Sequence, residues 1–192
     1  MTVSNALVRL LRLQEATSGY MKPDAEFSAE GGSLPPSMVH TDHGKRDLLK
    51  ETLEDIGPGE NIVVFCHFHY DLDAVHSVCR DLGIVSCELS GRYNELASFR
   101  GAPSHSPAAR ARVLAAQIQS GAEGNDFTGA RYVIYYSIGF NRGKYEQSAK
   151  RVHRPGQKRP VTYIYLLAEQ TVDEQIMAAL KTGKALVDEV LG

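Results

Sequence analysis

Near the N-terminus, Ala6, Leu7, Leu10, Leu11 and Leu13 recur at helical spacing around Arg9 and Arg12, the pattern of an amphipathic helix with one face to bury. Ser4 or Asn5 suits its start and Gly19 its end. From Tyr20 to Gly44 no period emerges, and Gly31-Gly32-Ser33-Leu34-Pro35-Pro36 reads as a long loop or linker. Leu48, Leu49, Leu53 and Ile56 then line one face of a helix predicted over Lys45–Ile56, stopped by Gly57-Pro58-Gly59. Asn61–Cys66 is a short, β-branched apolar run, as expected for a strand buried on both faces. The alternation continues: a helix through Ala74, Val75, Val78 and Leu82, a strand at Ile84–Leu89, a loop with at most a short helix at Asn94–Arg112, and strands at Val113–Gln119 and Tyr132–Tyr136. A helix at Lys144–Val152, a strand at Thr162–Leu167 and a last helix through Val172, Ile176, Ala179 and Leu180 complete it. Thr171-Val172-Asp173-Glu174 reads as the capping box of that last helix. Strands alternating with helices predict an α/β fold: a mostly parallel sheet with helices on both faces. The expected division is an N-terminal helix and loop over 1–44 and the α/β lobe over 45–192.

With 43% hydrophobic and 23% charged residues in 192, the chain can bury a real core. A net charge of −2 gives no global basic excess, so nucleic-acid contact has to come from a local patch, and Lys144 to Arg159 is the dense basic run. Cys66, Cys79 and Cys87 form no Cys-x-x-Cys pair, which argues against zinc and against a disulfide framework and for a reducing cytoplasm. No apolar run reaches the ~20 residues of a membrane span, and the first residues lack the pattern of a signal peptide. Cys66–Asp73 contains metal-ligand types (His67, His69, Asp71, Asp73), and His40 and His43 lie three apart in the loop. The first segment passes from strand to helix, which breaks the alternation a metal set would need, so Asp71 is expected at a helix start. The second pair has no acidic or Cys partner nearby, and no metal site is expected.

The densest chemistry lies in Gln147-Ser148-Ala149-Lys150-Arg151-Val152-His153-Arg154-Pro155-Gly156-Gln157. Arg151 and Arg154, three apart, project from one face of a helical turn. Paired guanidiniums are planar, always ionised and bidentate toward phosphate oxygens. Upstream, Gly121 and Gly124 are three apart after a strand, where main-chain N–H groups can approach phosphates. After the second strand of the lobe, Ser90-Gly91-Arg92 offers a permissive backbone beside a phosphate-binding side chain.

The Gln147–Gln157 string resembles the last motif of helicase-like ATPases of the Swi/Snf type, Gln-x-x-x-Arg-x-His-Arg-x-Gly-Gln, at every fixed position. The family's fifth motif, Gly-Gly-x-Gly-Leu-Asn-Leu-Thr-x-Ala, is similar at Gly121, Gly124, Thr128 and Ala130; Ala122, Asn125 and Asp126 depart from it, and Asp126 stands where the family has Asn. The resemblance covers roughly Lys45 to the C-terminus, and Leu10-Leu11-Arg12-Leu13-Gln14 extends it upstream; Gln-Ile-Gln-Ser-Gly and Tyr-Glu-Gln-Ser look closest to phage or prophage members. It implies a second RecA-like lobe of a superfamily-two ATPase. Arg151 and Arg154 would be arginine fingers, with Gln147 orienting their helix or touching nucleotide. Gly121, Gly124 and Asp126 would lie on the nucleotide side, and His67, Gly91, Arg92, Thr128 and Asn141 would meet DNA. ATP and Mg²⁺ would be held mainly by an N-terminal RecA-like lobe of the same protein, with duplex DNA as the other partner.

This chain has no Gly-x-x-x-x-Gly-Lys-Ser/Thr and no Asp-Glu-x-His or Asp-Glu-x-Asp box, the residues that hold phosphates and Mg²⁺ in such a first lobe. The chain is accordingly expected to be a fragment of a longer protein, with Met1 an expression artefact, and to be inactive by itself. The alternative is a non-catalytic α/β module that binds nucleic acid or protein through its basic helix. A phosphatase-like reading would need a nucleophile at a strand end, such as Cys66, but no Cys-x₅-Arg follows it.

Overall fold

The computed structural model describes residues 3–21, 39–101, 112–120, 125–153, 157 and 159–182. In order these form α1 (Val3–Thr17), β1 (Tyr20–Met21), β2 (Val39–His40), α2 (Gly44–Ile56), β3 (Ile62–Cys66), α3 (His69–Asp81), β4 (Ser86–Leu89), α4 (Leu96–Arg100), β5 (Val113–Gln117), β6 (Tyr132–Tyr135), α5 (Arg142–Val152), β7 (Thr162–Tyr165) and α6 (Val172–Thr182). Successive residues of the central strand point into two separate cores. Ile62, Val64 and Cys66 pack with Leu49 and Leu53 of α2 and Leu72, Val75 and Cys79 of α3. Val63 and Phe65 point the other way, toward Phe99 of α4, Val152 of α5 and Ile176 of α6. A strand buried on both sides has no polar alternation to display, which is why 62–66 is apolar throughout. The five main strands are all parallel, in the order β4-β5-β3-β6-β7. Phe65, Tyr135 and Tyr165 stack across β3, β6 and β7 with centroids 5.3 and 5.0 Å apart.

The α/β expectation holds, with local corrections. Asp71, expected at a helix start, is the third residue of α3 and accepts the Phe68 N–H at 3.0 Å, so the helix begins at His69, five residues before the apolar period emerges at Ala74. Of the 20–44 stretch expected as a loop, residues 22–38 lie outside the described residues; on either side of them β1 and β2 pair antiparallel, and the Thr41 N–H donates to the Gly19 carbonyl at 3.0 Å. Gly19 has φ +88°, and a Cβ there would lie 2.4 Å from the Asp42 carbonyl oxygen, so both backbone conformation and space require glycine. The final helix departs from a simple capping box. Thr171 Oγ1 accepts the Asp173 N–H at 3.2 Å, but it is Asp173, not Glu174, that reaches back, to the Ala168 N–H at 3.1 Å.

A buried polar strap holds α1 and α2 to α6. Lys45 Nζ lies 2.5 Å from Asp173 Oδ2, with both side chains under a tenth exposed. Thr17 Oγ1 donates to Asp173 Oδ1 at 3.0 Å, and Gln14 Nε2 donates to the Ile138 carbonyl at 2.6 Å. Leu10 of α1 enters the core shared by α5 and α6.

Asp71 gives a pH prediction. It is buried, and burial raises its pKa to about 6 against the opposing pull of the Ser137 hydroxyl, the Phe68 N–H and the Lys45 charge. The folded-state value lies above the unfolded one, so this group's contribution to stability is complete below about pH 4 and is lost as pH rises through about 6. Asp71→Asn removes that titration. In urea unfolding from pH 4 to 7, the free-energy difference between variant and parent should shift in the variant's favour by roughly 3 kcal/mol as pH rises; a pH-independent difference would refute the assignment.

Candidate functional site

The site is organised by α5. Asn141, in extended conformation, caps the helix, its Oδ1 accepting the Lys144 N–H at 3.0 Å. Ser148 and Val152 turn inward: Ser148 Oγ meets the Tyr135 hydroxyl at 2.8 Å, and Val152 is fully buried. Helical periodicity then places Lys144, Gln147 and Arg151 together on another face. Lys144 and Gln147 line a polar cavity of about 720 Å³ with Ser90, Asn94, Gln119, Ser120 and Asn125. Its other lining residues follow the carboxyl ends of β4 and β5, the edge at which open α/β sheets carry their ligands. A smaller cavity of about 170 Å³ adjoins through Gln119 and Lys144 and reaches His67 and Asn141.

The end of α5 is tied to the 125–130 loop. The Phe127 N–H donates to the Arg151 carbonyl at 3.1 Å, and the His153 N–H closes on the Ala149 carbonyl at 3.3 Å. Beyond the helix, Gln157 Nε2 donates to the carbonyls of Thr128 and Ala130 at 2.8 and 2.9 Å. The described parts of the two stretches singled out in the sequence therefore meet, through pairs 24 to 29 residues apart in the chain. Within the loop, Asp126 Oδ1 accepts the Thr128 N–H at 2.9 Å, a turn that needs only an acceptor, so Asp serves here as Asn would. The Asp126 carbonyl accepts from Arg100 Nη2 at 2.9 Å.

The sequence candidates now have places. Gln147 is exposed in the larger cavity, and Arg151 is half-buried on the last turn of α5. Arg154, Gly121 and Gly124 lie outside the described residues. Thr128 and Asp126 sit on the tied loop, and Asn141 is the helix cap. A Cβ on Gly91 would meet nothing within 4 Å, so the turn is open on that side. Arg92 is occupied: Nη2 lies 2.8 Å from Asp73 Oδ1 and 3.0 Å from Glu88 Oε2, and the two carboxylates push its pKa further up. His67 follows β3, its main-chain N–H donating to Ser137 Oγ at 2.7 Å; burial, and then the Lys144 charge, lower the pKa of its imidazole, which favours the neutral ring. Lys144, Gln119 and Asn125 were not among the candidates. Lys144 carried a usable signal, since it precedes Gln147 by three and Arg151 by seven on one helix face. Gln119 and Asn125 carried none. All three cysteines are buried, and burial pushes the Cys66 thiol well up, which disqualifies it as a nucleophile. Among the described residues no cluster of His, Cys, Asp or Glu fits a metal, and no helix is long and apolar enough to cross a membrane.

Residues 44–156, more than half of the chain, match the helicase conserved C-terminal domain. The chain belongs to that family. Proteins with Swi/Snf-related names are among those it is similar to. It is 25% identical over 175 residues to the helicase-like transcription factor CHR27 of Arabidopsis thaliana, covering 89% of this chain and 17% of that protein. It is 29% identical over 164 residues to the SWI/SNF-related matrix-associated actin-dependent regulator of chromatin subfamily A containing DEAD/H box 1 homolog of Drosophila melanogaster, covering 82% and 19%. The crystal structure of the C-terminal part of the Fun30 ATPase domain superposes with a TM-score of 0.63 at 22% identity, covering 80% of this chain and 55% of that one. That likeness establishes the RecA-like fold of this helicase lobe. The lobe spans less than a fifth of the length of either of these two curated relatives.

Proposed function

We propose that this helicase lobe forms one wall of the ATP site of a DNA-dependent translocase and grips the duplex through its backbone. One observation carries the reading: the 125–130 loop and the end of α5 are hydrogen-bonded into one rim, through Phe127 N–H to Arg151 and Gln157 to Thr128 and Ala130. Such a rim lets a change at nucleotide phosphates reach groups that contact DNA. ATP with Mg²⁺, held mainly by an N-terminal RecA-like lobe, supplies the phosphoryl group. Arg151 and Arg154 are assigned to charge on the transferring oxygens, Gln147 to orienting that helix face, and Gly121, Gly124 and Asp126 to the nucleotide side of the rim. The donor-rich lining of the larger cavity, with Lys144, Gln119, Ser120 and Asn125, suits a polyanion.

Duplex phosphates are assigned to Thr128, Asn141, His67, Gly91 and Arg92. His67 contributes as a neutral group. Arg92 reaches a phosphate only by exchanging Asp73, the more exposed of its two carboxylates, for it. Contacts of this kind give sequence-independent, salt-sensitive grip.

The test compares the 192-residue chain with a polypeptide that adds a Walker-type first lobe. The chain alone should hydrolyse no ATP above buffer, and the two-lobe protein should show DNA-stimulated hydrolysis. Robust hydrolysis by the isolated chain would place the catalytic site elsewhere. Salt-sensitive duplex binding that ATP never alters, with both lobes present, would favour a non-catalytic binding module.

A further inference from the structure

We infer that Gln157 is a positioning residue whose side-chain amide fastens the arginine-bearing segment to the 125–130 loop, so that the two shift as one body. The inference rests on the assignment of Arg151 and Arg154 to the phosphoryl oxygens. Its geometry stands independently. A primary amide has two N–H donors and one carbonyl acceptor. Both donors of Gln157 are used, toward Thr128 and Ala130 at 2.8 and 2.9 Å, and its Oε1 accepts the Arg159 N–H at 3.3 Å. The intervening Gly129 carbonyl is held separately by Asn61 Nδ2 at 3.2 Å, which anchors the same loop to the start of β3.

Earlier in the chain, the Phe127 N–H donates to the Arg151 carbonyl at 3.1 Å. Arg154 thus lies in the chain between two points fixed to one loop, at Arg151 and at Gln157. Few side chains can make the second attachment. Glu has the reach but no donors when ionised, Asn is one methylene shorter, and Lys lacks the planar pair of donors with an acceptor behind it. The attachment costs the loop little, because each carbonyl it uses keeps a neutral partner.

Gln157→Glu is nearly isosteric and turns two donors into a carboxylate facing two carbonyl oxygens. In the two-lobe protein it should lower kcat for DNA-stimulated hydrolysis by ~10²-fold, the scale of a misplacement of about 1 Å. KM for ATP should stay within about twofold, since the loss falls on the chemical step. Protonating the introduced carboxyl restores one donor, so the variant-to-parent ratio of kcat should climb as pH falls from about 8 to about 6, because a carboxyl facing two carbonyls titrates above its usual range. Gln157→Ala should show the loss without the recovery. In the 192-residue chain, Gln157→Glu should retain a cooperative urea transition while the Phe127 amide exchanges faster. An unchanged kcat, or a loss that is shared with KM and insensitive to pH, would overturn the inference. So would unaltered Phe127 exchange, which reads the attachment without any catalysis. If the parent two-lobe protein fails to hydrolyse ATP, the functional assignment falls, while the exchange measurement still decides the attachment.

Discussion

Arg154→Ala, placed in a polypeptide carrying both lobes, is expected to lower DNA-stimulated ATP turnover by ~10³–10⁵-fold with nucleotide binding retained. The expectation follows from where charge develops. A γ-phosphoryl in transfer spreads negative charge over its equatorial oxygens, and a guanidinium aimed at that position acts in the transition state more than in the ground state. Arg154→Lys should fall between parent and Ala, because an ammonium keeps the charge and loses the planar fork. Arg151→Ala should also be slow, and the double variant should lose less than the product of the two single losses if the pair acts as a unit. Steady-state turnover with and without duplex, together with equilibrium nucleotide binding, measures this directly. Turnover unchanged in Arg154→Ala would remove the arginine-finger assignment and leave a lobe that only grips DNA.

The fold was legible wherever burial leaves a one-dimensional trace. Ile62–Cys66 is apolar at every position because both of its faces are covered, and Gly57-Pro58-Gly59 marks where the preceding helix stops. The meeting of the 125–130 loop with the end of α5 and with Gln157 was legible only through the likeness of both stretches to a family, since no local period relates residues that far apart. Gln157 shows the limit: its place in the motif was evident, but that its amide holds two loop carbonyls depends on where Thr128 and Ala130 point. Arg92 shows the opposite failure. An arginine after a strand-end glycine reads as a phosphate ligand, and nothing in its neighbourhood says that Asp73, nineteen residues earlier, already sits 2.8 Å from it. Lys45 lies one turn before Leu49 and two before Leu53, on the buried face of α2, and its partner Asp173, at the start of α6, is too distant in the chain for any local pattern to announce.

Lys45→Ala should cost about 3–5 kcal/mol of stability in the 192-residue chain, the scale for breaking a buried ion pair from one side. The amino group lies 2.5 Å from Asp173 Oδ2 with both side chains nearly inaccessible. Removing it leaves a buried carboxylate with only the Thr17 hydroxyl and the Ala168 N–H as partners. Such a loss is comparable to the whole stability of a marginal domain, so urea unfolding at neutral pH should show a transition displaced to much lower denaturant. Replacing both partners, Lys45→Met with Asp173→Leu, should recover part of the loss, because no charge is left unpaired. It should not recover all of it, since the Ala168 N–H then loses its acceptor, while the Thr17 hydroxyl keeps the Gln14 carbonyl. A single-variant cost below about 1 kcal/mol, the range of solvent-exposed pairs, would mean that the strap is open to water. The α1 helix would then be held by Leu10 and the Gln14–Ile138 hydrogen bond without it. The strap meets the carboxyl-end edge of the sheet at Ile138, which the Gln14 amide holds and which is followed by Gly139, Phe140 and Asn141 of the smaller cavity. Its strength therefore decides how rigidly α1 backs the residues assigned to DNA.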